Sequence, residues 1–159
     1  MSERARTRGV TLIELVCVTA IVLVLASVAL PVANTALKRR KELELRQALR
    51  EIRVALDTFQ FDTLRYPGIR AKYLSAVNEE GYPEKLDVLV EGVDIGDAAG
   101  TKIKYLRRLP RDPITGLADW DTRSSRDGPE SLFSDGINIF DVRSKSDKVG
   151  LNDVPYREW

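Results

Sequence analysis

The hydropathy of this chain changes character once, close to residue 37. From Val10 to Ala36 the residues are apolar or small and uncharged apart from Glu14 near the start. A helix of that length reaches ~40 Å at ~1.5 Å per residue, enough to cross a hydrocarbon core of ~30 Å. After Lys38-Arg39-Arg40-Lys41 the pattern becomes amphipathic. Leu45, Leu49, Ile52, Leu56 and Phe59 recur at spacings of four and three, with Ala48 and Ala55 beside them, which predicts a helix that buries one stripe. Glu42/Arg46 and Arg53/Asp57 have i,i+4 spacing and are expected to pair on its other faces. Tyr66-Pro67-Gly68 should end it. The reading is one helix of ~80 Å from Val10 to about Phe61, kinked or locally loosened at Pro31, where a backbone donor is missing.

Beyond the helix the signals are shorter. Ile69, Tyr73, Leu74 and Val77 suggest a brief helical excursion, and Pro83 can open another, with Leu86, Leu89 and Val90 facing inward. Gly92, Gly96 and Gly100 mark a loose connection. Asp112-Pro113-Ile114-Thr115-Gly116 reads as a tight turn, with Asp112 first, Pro113 fixing φ and Gly116 free to take a positive φ. The best strand candidates are Leu117–Asp121 and Ile137–Ser144. In the second, Phe140 and Val142 should face the helix while Asp141 and Arg143 point outward. A chain of 159 residues leaves room for one domain beside the membrane segment.

Charge and composition narrow the chemistry. Arg4, Arg6 and Arg8 ahead of the apolar run should hold the N-terminus on the cytoplasmic side of a single pass, with the bulk of the chain outside. The formal net charge is +1; Met1–Gly9 holds three Arg and one Glu, +2, so the remainder is −1. Nothing in that balance asks for nucleic acid, and the cluster Lys38–Lys41 reads as stems lying along apolar surface with their charges in water. No histidine is present, which excludes Ser-His-Asp and Cys-His catalysis and most zinc sites. Cys17 is the single cysteine, so no intrachain disulfide can form, and Val16 before it argues against lipid attachment. Asp119, Asp121 and Asp127 around Trp120 and Arg123 read as a structural hydrogen-bond and stacking network. Asp119 and Asp121 are the only material for an enzyme and have no pocket signature around them, so the chain is read as non-enzymatic.

Glu14 is the informative exception in the apolar run. A carboxylate at the bilayer centre costs about 2.5 kcal/mol or more, less near an interface, and usually has a partner. The run itself offers no cation. A cut after Gly9 would create one, the α-amino group of Val10, about one helical turn from its own Glu14 and within reach of a neighbouring copy's. Such pairing would set the axial register between packed helices. The alternatives are a solvated acid at headgroup level or a pair with Arg8 of an uncut leader. A conventional signal peptide cut near Ser27-Val28-Ala29 is a further alternative, although the run is long for one and contains an acid.

Gly9 followed by Val10-Thr11-Leu12-Ile13-Glu14-Leu15 resembles the class III signal of type IV pilins and pseudopilins. The resemblance implies cleavage after Gly9 by a prepilin peptidase, methylation of the new N-terminus at Val10, and an assembly and register role for Glu14. It also gives Pro31 the place of a helix-weakening proline. Val10 departs from the Phe usual at the first mature position. Farther on, Gly81-Tyr82-Pro83 with Leu86 and Leu89, Tyr105 through Gly116, Phe140 through Ser146, and Pro155-Tyr156-Arg157-Glu158-Trp159 look like the body of the major pseudopilin family of type II secretion. The cysteine pair that usually closes the head of adhesive type IV pilins is missing.

That resemblance implies an α+β, pilin-like fold: a long N-terminal helix packed on a small antiparallel sheet, with a loop-rich head. It divides the chain into a cleaved basic leader (1–9), a transmembrane and filament-core half of the helix (10–36), and a periplasmic head that includes the amphipathic half (37–159). The implied function is a structural subunit that polymerises into a periplasmic pseudopilus and drives protein export. The implied partners are copies of itself, the prepilin peptidase, an inner-membrane platform protein and minor pseudopilins. A type IV pilin or minor pseudopilin of a related pilus or DNA-uptake machine is one alternative. Another is a membrane-tethered periplasmic binding module that does not polymerise. The family head often binds calcium in its C-terminal loop, which here places candidate ligands at Ser144, Ser146, Asp147, Asn152 and Asp153. Asn152 stands where many relatives have Asp, and an acidic loop that is merely solvated is the alternative.

Overall fold

The structure is a computed structural model that describes residues 10–128, 131 and 134–159. The leader, with Gly9, lies outside these residues. In chain order the elements are α1 (Leu12–Arg65), α2 (Pro67–Tyr73), α3 (Asp87–Glu91), β1 (Val93–Asp94), β2 (Lys102–Ile103), β3 (Asp121–Arg123), β4 (Asp141–Arg143) and a closing 3₁₀ turn, Tyr156–Glu158. The fold is α+β, consistent with the pilin-like expectation. The chain divides into two compact units between Arg39 and Arg40.

In the first unit the Thr11 hydroxyl accepts the Glu14 N–H at 3.3 Å, so Thr11 satisfies one of the free donors at the start of α1. The side chains that follow are apolar on every face. Consequently all the large ones from Val10 to Leu37 are exposed within the unit. The segment is long and apolar enough to cross a membrane. Pro31 lies inside α1. Its missing N–H leaves the Ser27 carbonyl without the usual donor, and the Thr35 hydroxyl returns one bond to the Pro31 carbonyl at 2.9 Å.

In the second unit the stripe falls where its spacing places it. Leu45, Leu49, Ile52, Leu56 and Phe59 are buried, and with Ala48 and Ala55 they form one core with Ile69, Leu89, Val93, Leu106, Trp120, Ile139, Val142 and Tyr156. Phe59 meets Tyr73 and Tyr105 edge-on, with ring centroids 5.0 and 5.4 Å apart. α1 runs to Arg65, one turn past the expected end at about Phe61 and up to the Tyr66-Pro67-Gly68 stretch expected to end it. It stops there because Tyr66 precedes a proline and is extended, at φ −103° and ψ 120°, and Pro67 then opens α2. Gly68 of α2 touches the β1–β2 loop backbone to backbone: a Cβ there would come within 2.6 Å of Gly96.

The sheet is two separate antiparallel pairs, β1–β2 and β3–β4. Five local expectations are corrected. The glycine-marked connection is a hairpin, whose two-residue strands are too short to show alternation. Pro83 does not open α3, which starts at Asp87; instead its carbonyl accepts the Ile139 N–H at 2.8 Å, pinning an extended segment. The first β strand candidate shifts to Asp121–Arg123, because the Leu117 carbonyl is taken by the Asp112 N–H at 2.8 Å and closes the turn. Phe140 is 47 % exposed and rests edge-on against Tyr82, since β4 begins only at Asp141 and alternation does not extend back to it. Asp141 faces α1, drawn there by Arg53 at 2.6 Å.

Phe59 fills the centre of this core, so Phe59→Ala should lower the unfolding free energy of the detergent-solubilised chain by about 3–5 kcal/mol. Urea titration followed by circular dichroism measures the loss.

Candidate functional site

Two regions hold the candidate residues. At the N-terminal end, Val10 and Glu14 are exposed, and Glu14 lies in the first turn of α1. Among the described residues Glu14 has no ion-pair partner.

The C-terminal region is assembled on α1. Glu42 lies three residues before Leu45 and therefore on the same buried stripe. Its carboxylate accepts the Leu151 N–H at 2.7 Å and the Tyr156 hydroxyl at 3.0 Å, both at Oε1. One turn on, the Arg46 guanidinium sits 4.5 Å from the Trp159 ring centroid, and Trp159 meets Tyr156 edge-on at 5.0 Å. Arg53 reaches Asp141 at 2.6 Å, the Val142 carbonyl at 3.2 Å and the Trp159 carbonyl at 3.0 Å. The expected local pairs Glu42/Arg46 and Arg53/Asp57 are thus replaced by long-range partners. Asp57 instead accepts the Tyr82 hydroxyl at 3.5 Å.

Gly150 makes room for this arrangement, because a Cβ there would come within 2.7 Å of the Trp159 ring. The loop closes on itself through the Gly150 N–H to the Val154 carbonyl at 2.9 Å and the Tyr156 N–H to the Lys148 carbonyl at 3.0 Å. Asp112 is fully buried at the expected turn. One of its oxygens takes the Ile114 N–H at 2.7 Å and the other the Ser144 hydroxyl at 2.6 Å, while Gly116 adopts φ 81°. Sequence reasoning missed the burial of Glu42 and Asp112. The position of Glu42 on the apolar stripe was the available signal for the first.

The calcium candidates do not fit a cation. Ser144 donates to Asp112 and accepts the Ser146 N–H at 3.1 Å; Ser146 in turn accepts the Lys148 N–H at 3.3 Å. Asp147 pairs with Arg157 at 3.1 Å, Asn152 accepts the Val154 N–H at 3.4 Å, and Asp153 is exposed at φ 60°. Among the described residues no three acidic, histidine or cysteine side chains converge. Calcium needs six to eight oxygens on one centre; here four of the candidates engage theirs in separate hydrogen bonds and an ion pair, and Asp153 is exposed.

The second acidic set is likewise dispersed. Asp119 pairs with Lys145 at 2.5 Å and Asp121 with Arg143 at 3.0 Å, while Asp127 accepts the Ser124 N–H at 2.7 Å. Trp120 donates to the Pro110 carbonyl at 3.0 Å, and Arg123 donates to the Gly128 carbonyl. These contacts join β3, β4 and their loops as a structural network.

Burial, then the hydrogen bond to Glu42 and its negative charge, pushes the Tyr156 hydroxyl from an ordinary 10.0 up to about 12. The folded chain therefore keeps a proton that the unfolded chain loses above 10. The contribution is complete below that pH and is lost as pH rises through about 12. Tyr156→Phe should cost about 1–2 kcal/mol at neutral pH. The stability gap between the two proteins should close between pH 10 and 12, which urea titrations across that range would measure.

Comparison of the whole chain with curated proteins and with solved structures gives no match. Residues 4–30 match the family described as the prokaryotic N-terminal methylation motif. The matched stretch runs from Arg4 through the first part of α1 and includes Gly9, Val10 and Glu14. The N-terminal end of this chain is therefore similar to a type IV pilin-like prepilin signal.

Proposed function

We propose that this chain is a structural, non-catalytic subunit of a periplasmic pseudopilus of the type II secretion kind. The match of residues 4–30 to the N-terminal methylation motif is the observation that supports this reading. On it, a prepilin peptidase removes Met1–Gly9 and methylates Val10. The apolar helix holds the monomer in the inner membrane, N-terminus inward, and residues 37–159 form the periplasmic head. The exposed apolar side chains between Val10 and Leu37 then exchange lipid for the same segment of neighbouring copies. Repeated van der Waals packing supplies the cohesion, because lipid tails are as apolar as the side chains they leave. The freed Val10 amine pairs with Glu14 of an adjoining subunit and fixes the axial register. The single cysteine favours the secretion branch over adhesive pili, as do the Tyr105–Gly116 and Pro155–Trp159 stretches. The platform protein and minor pseudopilins complete the set of partners.

The intact mass and N-terminal sequence of the chain, from membranes with and without a prepilin peptidase, test the processing. Loss of Met1–Gly9 together with a methyl group on Val10 is expected. An unprocessed N-terminus, or a cut near Ala29, would overturn the reading. Glu14→Gln should leave the monomer inserted and folded but abolish filaments, since removing one partner of a desolvated pair costs about 3–5 kcal/mol. Filaments of normal yield from this variant, scored by shear fractionation and electron microscopy, would rule out the register role.

A further inference from the structure

The donor set around the C-terminal loop has the wrong polarity for a cation and the right one for an anion. A calcium ion orders a loop by gathering oxygens. Here the loop turns an N–H, from Leu151, and an O–H, from Tyr156, toward α1. Its carbonyls at Lys148 and Val154 are already paired within the loop, and the side-chain oxygens of Ser146, Asp147 and Asn152 each have another partner. The group that the two inward donors share is the buried carboxylate of Glu42.

We propose that Glu42 takes the place of a bound calcium ion in this head, so that residues 149–159 are ordered by a carboxylate of α1 and their order does not depend on calcium. The carboxylate is well suited to the task. It is fixed to a helix by the packing of Leu45 one turn away, and both donors bind the same oxygen. Hydrogen bonds to an ionised acceptor are stronger than neutral ones. A second tie, from Arg53 to the Trp159 carbonyl, fixes the far end of the segment. The loop therefore has an internal organiser, and most of its side-chain oxygens already serve other partners. This inference is independent of the filament reading, since its test requires only the folded monomer.

The test is amide hydrogen exchange on the full chain in detergent, followed at Leu151 and through 149–159, in calcium chloride and in a chelator. In the wild-type chain the exchange rates and the melting temperature should be the same in both. Glu42→Gln, which keeps the shape but weakens the acceptor, should speed exchange at Leu151 on the order of tenfold. Amides of α3 and of the β1–β2 pair should be unchanged. Tyr156→Phe removes one of the two donors and should loosen 149–159 more than the rest of the chain, so the idea is testable even if Glu42→Gln does not fold. Slower exchange or a higher melting temperature with calcium would overturn the proposal. So would a Glu42→Gln chain whose Leu151 amide stays protected.

Discussion

The second compact unit of this protein depends on a single helical stripe that is apolar in the middle and charged at its edges. Leu45 to Phe59 make the floor of the core, and their burial is what the hydrophobic effect stabilises. Glu42, Arg46 and Arg53 border that floor, and each reaches into the last twenty residues. The apolar stripe supplies most of the cohesion without direction. The three charged side chains supply direction, because hydrogen bonds and ring stacking depend on orientation in a way that apolar burial does not. A loop-rich segment with only short strands is thereby held in one conformation.

Features with a local cause were legible in the sequence. The four-three spacing of Leu45 to Phe59 specifies a buried face whatever lies opposite. The turn at Asp112 was legible because its geometry comes from Asp112, Pro113 and Gly116 themselves. The prepilin-type signal was legible for a related reason: it is a short linear pattern over residues 4–30.

Features decided by competition with distant groups were not legible. Glu42/Arg46 and Arg53/Asp57 satisfy the i,i+4 rule, but an exposed pair of that kind is worth only about 0.2–0.5 kcal/mol. Such a gain gives way when a partly buried donor or acceptor elsewhere lacks a partner, as with Tyr156 for Glu42 and the Trp159 carbonyl for Arg53. The β1–β2 hairpin escaped because two-residue strands show no alternation. Phe140 was misplaced because alternation was extended past the point where pairing starts. The candidate calcium ligands are near one another in sequence, yet Ser144, Asp147 and Asn152 each engage a different neighbour in space.

The spacing of Glu42 and Arg53 along α1 has a mechanical consequence. Eleven residues of helix separate them by ~16 Å. A segment tied to a rod at one point can swivel about the tie. The C-terminal segment is tied at two, through Leu151 and Tyr156 at one end and through Trp159 at the other. A torque on that segment is then resisted over the lever arm between the ties, so a given turning moment loads each bond less than it would about a single tie.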